Sequence, residues 1–153
     1  MGLLITRAPL LGVTASVCAF VITGWIPPLS VLACVVPFGL AAAALLTAQY
    51  VWIGLLAFWL EDVSPVYWVW QKALFVLGGL MLPIELYPAF IRTAATFTPF
   101  PAALAGPASF VLRGSSAGAG ILARELSIWA GVTALAVYWV FHRATSAMSV
   151  NGG

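Results

Sequence analysis

The sequence predicts an all-α integral membrane protein with four transmembrane helices and a re-entrant or interfacial helical hairpin between the third and the fourth. Three observations lead there. Of 153 residues only six Lys/Arg and four Asp/Glu carry a formal charge, 7% of the chain, against roughly a quarter of an average soluble domain; so few charges cannot make a wettable surface. Residues 8–60 hold no Asp, Glu, Lys, Arg or His over 53 positions, room for two crossings at about 20 residues each. Five of the ten prolines fall within residues 83–107, too many for a spanning helix. A hydrophobic content of 63% excludes disorder, and a net charge of +2 is too small for a nucleic-acid-binding stripe.

The elements follow in order. Met1-Gly2-Leu3-Leu4-Ile5-Thr6 formally matches the myristoylation pattern, but a bilayer-spanning chain needs no lipid anchor. The apolar run that follows extends far beyond the 7–15 residues of a signal peptide. A first span is expected at 9–26, closed by Gly24-Trp25-Ile26-Pro27-Pro28, where two prolines stop the helix and Trp25 suits the headgroup level. A second is expected at 34–60. As one helix residues 30–60 would measure about 46 Å, so the segment must project into water or kink near Pro37-Phe38-Gly39. Tyr50, Trp52 and Trp59 gather at its far end like an aromatic belt. Glu61-Asp62-Val63-Ser64-Pro65 is an aqueous turn, and a third span follows at 66–83, opening with Tyr67, Trp68 and Trp70 and holding Gln71 and Lys72.

Residues 84–112 are too apolar for an ordinary solvated loop. Irregular backbone at membrane depth survives only where protein or a watery cavity covers it, so two short helices, near 89–98 and 102–112, are expected to dip toward the bilayer and return. Gly78-Gly79 removes side chains just before them, where the third span meets its neighbours. A last span is expected at 118–141, ending at His142-Arg143 ahead of a polar tail. The whole chain, 1–153, reads as one transmembrane domain. Four spans put both termini on one side, and Arg7 with His142-Arg143 places that side in the cytoplasm. Cys18 and Cys34 sit in apolar runs, where a thiol behaves as a small hydrophobe, and two cysteines make neither a disulfide framework nor a metal site.

Read in order, Phe58-Trp59, Glu61-Asp62, Tyr67-Trp68 with Gln71, Leu77-Gly78-Gly79-Leu80, Pro83-Ile84-Glu85-Leu86-Tyr87-Pro88, Pro99-Phe100 and Pro107 resemble the second half of a type 2 ABC transporter permease of the bacterial ABC export group. Phe141-His142-Arg143 and Asn151-Gly152-Gly153 are similar to that group's basic, Gly-Gly-ended tail, and Leu4-Ile5-Thr6-Arg7-Ala8-Pro9-Leu10, more loosely, to the segment before its third span. The resemblance implies a bacterial inner-membrane location, a separate ABC ATPase subunit, a second permease copy in a homo- or heterodimer, and an outer-side hairpin capping the exit of the path. It also implies six spans with a coupling helix between the second and third, so this chain reads as a permease lacking its first two spans, split or truncated.

Within that frame Gly78, Gly79, Pro83, Glu85, Pro88, Pro99, Phe100 and Pro107 are candidates for the hairpin and its gate, with Glu85 able to pair with Arg92. Lys72, Gln71, Glu61 and Asp62 are candidates for the path or the ATPase side. Lys72 can instead snorkel or pair with Glu61 or Asp62, and those two acids can form nothing more than a solvated turn. Arg124-Glu125 is expected to snorkel at the end of the last span. No catalytic, cofactor or metal residues are expected. Gly118-Ala119-Gly120 lacks the Lys-Ser/Thr end of a phosphate loop, the single histidine, His142, is placed as an interface anchor, and any ATP is bound by another subunit. The expected partners are that ATPase, a second permease and the lipid bilayer, with no nucleic acid. The alternative is a small four-span membrane scaffold without transport activity.

Overall fold

The structure, a computed structural model, describes residues 20–21, 29–113 and 116–151. Among the described residues every regular element is helical: α1 (Leu29–Leu55) with a 3-10 turn at Leu56–Phe58, α2 (Ser64–Leu77), a 3-10 turn at Ile84–Leu86, α3 (Ala89–Thr96), α4 (Phe100–Ala103), α5 (Ala105–Arg113) and α6 (Ser116–Asn151). The all-α expectation holds. The span expected at 9–26 lies outside the described residues, apart from Phe20 and Val21, which are helical and exposed.

More than half of helix α1 is Ala, Leu or Val, and it passes through Pro37 rather than breaking there. A proline removes one backbone N–H bond, a loss membrane helices tolerate where neighbouring helices, Ser or Thr side chains or local adjustments satisfy the freed carbonyl. The Thr47 hydroxyl donates to the Ala43 carbonyl at 2.8 Å, so its own polar group is satisfied within the helix. The far end tightens: the N–H groups of Trp59 and Leu60 both donate to the Leu56 carbonyl, at 2.9 and 3.0 Å.

Helix α2 opens on Ser64-Pro65, where a proline loses nothing because the first N–H groups have no partner inside the helix. It ends at Leu77, six residues short of the expected boundary at 83. Gly79 takes a left-handed backbone, φ 78°. The Leu80 N–H then donates back to the Phe75 carbonyl at 3.2 Å and the Gly79 N–H to the Val76 carbonyl at 3.4 Å, the paired bonds of a glycine-terminated helix. Fourteen residues make a helix of about 21 Å, short of the ~30 Å hydrocarbon core. The hairpin region forms three short helices rather than the expected two, because Pro99 starts a separate four-residue turn, α4, ahead of α5. Helix α6 continues through His142-Arg143 to Asn151, where a polar tail was expected; no glycine or proline interrupts 132–151.

Two of the described helices are long and apolar enough to cross a membrane, Ala33–Phe58 and Ala117–Thr145. Only 22% and 17% of these spans are buried, the opposite of a soluble core helix. Helices α1 and α6 pack directly against one another, and α4 and α5 each pack against both. The shared core comprises Val31, Ala42 and Leu45 of α1, Ala102 and Ala103 of α4, Phe110 of α5, and Leu122 and Leu126 of α6. Three alanines among these residues let backbones approach closely, which favours helix association where lipid competes with every apolar contact.

Candidate functional site

Gly78 and Gly79, at the end of α2, lie against the short helices that follow. A Cβ on Gly78 would collide with the Leu74 carbonyl oxygen and lie 2.6 Å from Leu104 Cδ1, so the missing side chain is the space in which the α4–α5 corner sits. Gly79 lies against Ile84 and Ala105. Phe100 is buried at 3% exposure and meets Trp70 of α2 edge to face, with ring centroids 4.9 Å apart. Pro99 is buried beside it and Pro107 is half-buried within α5. Gly78 and Gly79 at the end of α2, with Phe100 and the neighbouring Pro99 near Trp70 about two turns earlier, thus make up a packed junction between α2 and the short helices α4 and α5.

Pro83, Glu85 and Pro88 lie on the exposed side of that junction. Pro83 precedes the 3-10 turn and Pro88 precedes α3. The expected Glu85–Arg92 contact takes a specific form: Arg92 Nη2 donates to the Glu85 backbone carbonyl at 2.6 Å and to the Tyr87 carbonyl at 3.3 Å. A guanidinium thus satisfies carbonyls that a proline-rich turn leaves without partners in regular structure.

The remaining candidates stand apart, on α2 and the turn before it. Glu61 and Asp62 are exposed. Asp62 Oδ1 accepts the Ser64 N–H at 2.8 Å, and the Ser64 hydroxyl followed by that N–H holds the carboxyl below its ordinary pKa of 3.8. Lys72 is exposed, with Nζ 5.7 Å from the centre of the Trp68 ring, and Gln71 beside it is half-buried. On α6, His142 stacks on Tyr138 and the Arg143 guanidinium lies 4.7 Å from the Trp139 ring.

The sequence pattern did not single out a cavity of about 220 Å³ between α1, α2 and α6. Gln49, Trp52, Trp70, Pro99, Trp129 and Thr133 line it. Trp52, expected in an aromatic belt, faces Trp70, with ring centroids 5.8 Å apart. Gln49 is 2% and Thr133 8% exposed. Among the described residues neither the Gln49 amide nitrogen and oxygen nor the Trp70 ring nitrogen has a hydrogen-bond partner. Glu125, expected to snorkel, lines two further cavities, one with Ser109 and Phe110 and one with Thr96, Thr98 and Trp129. The available signal was one polar residue, Gln49, inside an uncharged apolar run.

Long, exposed apolar helices packed with a proline-rich run of short helices define a helical membrane protein. Its kind follows from comparison with known families: a family model described as ABC-2 family transporter protein matches residues 3–150, and the chain belongs to that family. It has a permease-type role in an ABC transporter, and membership implies an ABC ATPase subunit as partner. No curated protein and no solved structure matches the chain.

Proposed function

We propose that the chain is a membrane permease subunit of an ABC exporter, forming the translocation path while a separate subunit hydrolyses ATP. The family match across residues 3–150 carries this reading. The chain crosses a bacterial inner membrane four times as one transmembrane domain, with 9–26 and the region of α2 supplying the other two passages, and both termini are cytoplasmic. Two such subunits, identical or different, face each other across the path.

Helices α3 to α5 form a re-entrant hairpin on the outer side. The junction of Gly78, Gly79, Pro99 and Phe100 is the pivot on which the hairpin gates the exit, with Pro83, Glu85, Pro88 and Pro107 shaping its rim. Glu61 and Asp62 face the ATPase side, and Lys72 and Gln71 border the path. The packed contact of Phe100 with Trp70 supports a coupled movement of hairpin and helix, since a close-packed joint transmits displacement rather than absorbing it.

Two measurements test the proposal. A tagged full chain purified from its native membrane is expected to carry an ABC ATPase subunit with it; isolation without one favours a scaffold. With Cys18 and Cys34 replaced by Ala, an Arg92→Cys variant is expected to react in intact cells with a membrane-impermeant maleimide. Reaction only after the cytoplasmic face is opened would place the hairpin on the wrong side and overturn its role as an outer cap.

A further inference from the structure

We propose that the cavity between α6 and the α3–α4 segment binds a primary ammonium group carried on an apolar body. Three features specify this chemistry. The first is the acid that faces it. Glu125 lines this cavity of about 250 Å³ together with Thr96, Thr98 and Trp129, and it is half-buried. It lies eight residues, about 12 Å, from the Ala117 end of the span Ala117–Thr145. Its short stem cannot snorkel as far as that of Lys or Arg, and an ionisable residue inside a span marks function by default. Among the described residues no cation is paired with its carboxyl, and a desolvated carboxylate without a counter-charge is costly.

The second is the hydrogen-bonding sense of the wall. The Thr96 hydroxyl donates to the Thr93 carbonyl and the Thr98 hydroxyl to the Ala95 carbonyl, each at 2.7 Å. A hydroxyl whose hydrogen is taken offers only lone pairs, and an ionised carboxyl offers nothing else. The three oxygen-bearing side chains therefore all accept, and of the lining side chains only the Trp129 indole can donate. An anion or a carbonyl would set lone pairs against lone pairs. A primary ammonium brings three donor hydrogens, one for each of those oxygen-bearing side chains.

The third is the rest of the lining. Trp129 follows Glu125 by four residues on the same face of α6 and offers a ring to a cation, while Pro101 and Ile128 add apolar surface. A hard metal ion would seek six or more oxygens, which three side chains do not supply. A quaternary ammonium suits the ring but leaves the oxygens without a donor. The volume of about 250 Å³ equals about eight water-sized groups at ~30 Å³ each, room for an ammonium and a short chain behind it. Free amphiphilic amines and lipid headgroups that end in an amine both carry this chemistry. The inference goes beyond the transport proposal and is independent of it, since it concerns binding and not movement of cargo.

The test uses the full chain in phosphatidylcholine nanodiscs, whose lipid has no primary amine, and hexylamine carrying a diazirine on its chain as photolabel. Labelling is expected to saturate and to map to segments 96–101 and 125–129. Unlabelled hexylamine is expected to displace the label about tenfold more effectively than hexan-1-ol or hexyltrimethylammonium at equal membrane concentration, as befits hydrogen bonds to a charged group. Glu125→Gln is expected to abolish saturable labelling, and Thr98→Val, which keeps the shape and removes one acceptor, to weaken it about tenfold. Both variants are checked for retained helix by circular dichroism, and Ser127→Ala, at an exposed position of α6, is expected to label like the parent. In nanodiscs that also hold phosphatidylethanolamine, weaker labelling supports the site with a headgroup amine as its occupant, and unchanged labelling supports it with a free amine. Labelling that does not saturate, equal displacement by hexan-1-ol, equal or stronger displacement by hexyltrimethylammonium, or unchanged labelling in Glu125→Gln or Thr98→Val would each overturn the proposal. A cation from elsewhere in the chain already holding Glu125 would show as absent labelling, and that result would overturn it equally.

Discussion

Asp62 and Gly79 hold the two ends of α2 by different means, and each predicts a distinct response to substitution. Gly79 sits at φ 78°, where any side chain raises the energy of the backbone. Gly79→Ala is expected to destabilise by about 1–2 kcal/mol, read as a lowered unfolding midpoint in detergent. Asp62 is ionised more readily folded than unfolded because Ser64 donates to its carboxylate. Its contribution is therefore present above the ordinary value of 3.8 and is lost as pH falls through the depressed folded value. Asp62→Ala is expected to be less stable than the parent at pH 6, the gap narrowing at pH 2; an unchanged gap would contradict a contribution from the Ser64–Asp62 hydrogen bond. Gln49 behaves oppositely. Among the described residues its amide has no hydrogen-bond partner, so Gln49→Leu, an apolar replacement of similar size, is expected to raise stability by about 1 kcal/mol.

Among the elements, α1 and α6 were legible because their residues are apolar over long stretches, and the run of short helices in 84–113 because its prolines forbid one long helix. Their limits were less legible. Leu80-Met81-Leu82 is as apolar as the helix before it, and hydropathy registers a preference for oil without registering where a backbone turns left-handed at Gly79. His142-Arg143 resembled an end because charge there anchors to the headgroup region, yet helix α6 continues through it, since charge at an interface does not break backbone hydrogen bonds. Ala144 is 1% exposed, so Ala144→Pro is expected to cost about 3 kcal/mol or more, and to make residues 144–151 newly sensitive to protease in membranes. Resistance equal to the parent would show that this stretch is not packed as helix.

Across the molecule, the exposed faces of α1 and α6 predict that the protein stays with the membrane pellet after alkaline carbonate extraction and is released only by detergent. Membrane residence, helical class and the permease resemblance came from composition and the order of short motifs, because an uncharged run of 53 residues has few other ways to avoid water. The candidate site was only half visible. Gly78, Gly79, Pro99 and Phe100 drew attention through residue type, but their meeting with Trp70 and Leu104 depends on how two distant segments fold back. Gln49, Trp52, Trp70, Trp129 and Thr133 come from three helices up to 84 residues apart, and nothing in their local spacing joins them. Hydropathy is a property of each residue and accumulates along the chain, so the order of residues carried the membrane and the helices. A cavity is the space left between packed surfaces, and it came into being only when α1, α2 and α6 were set against one another.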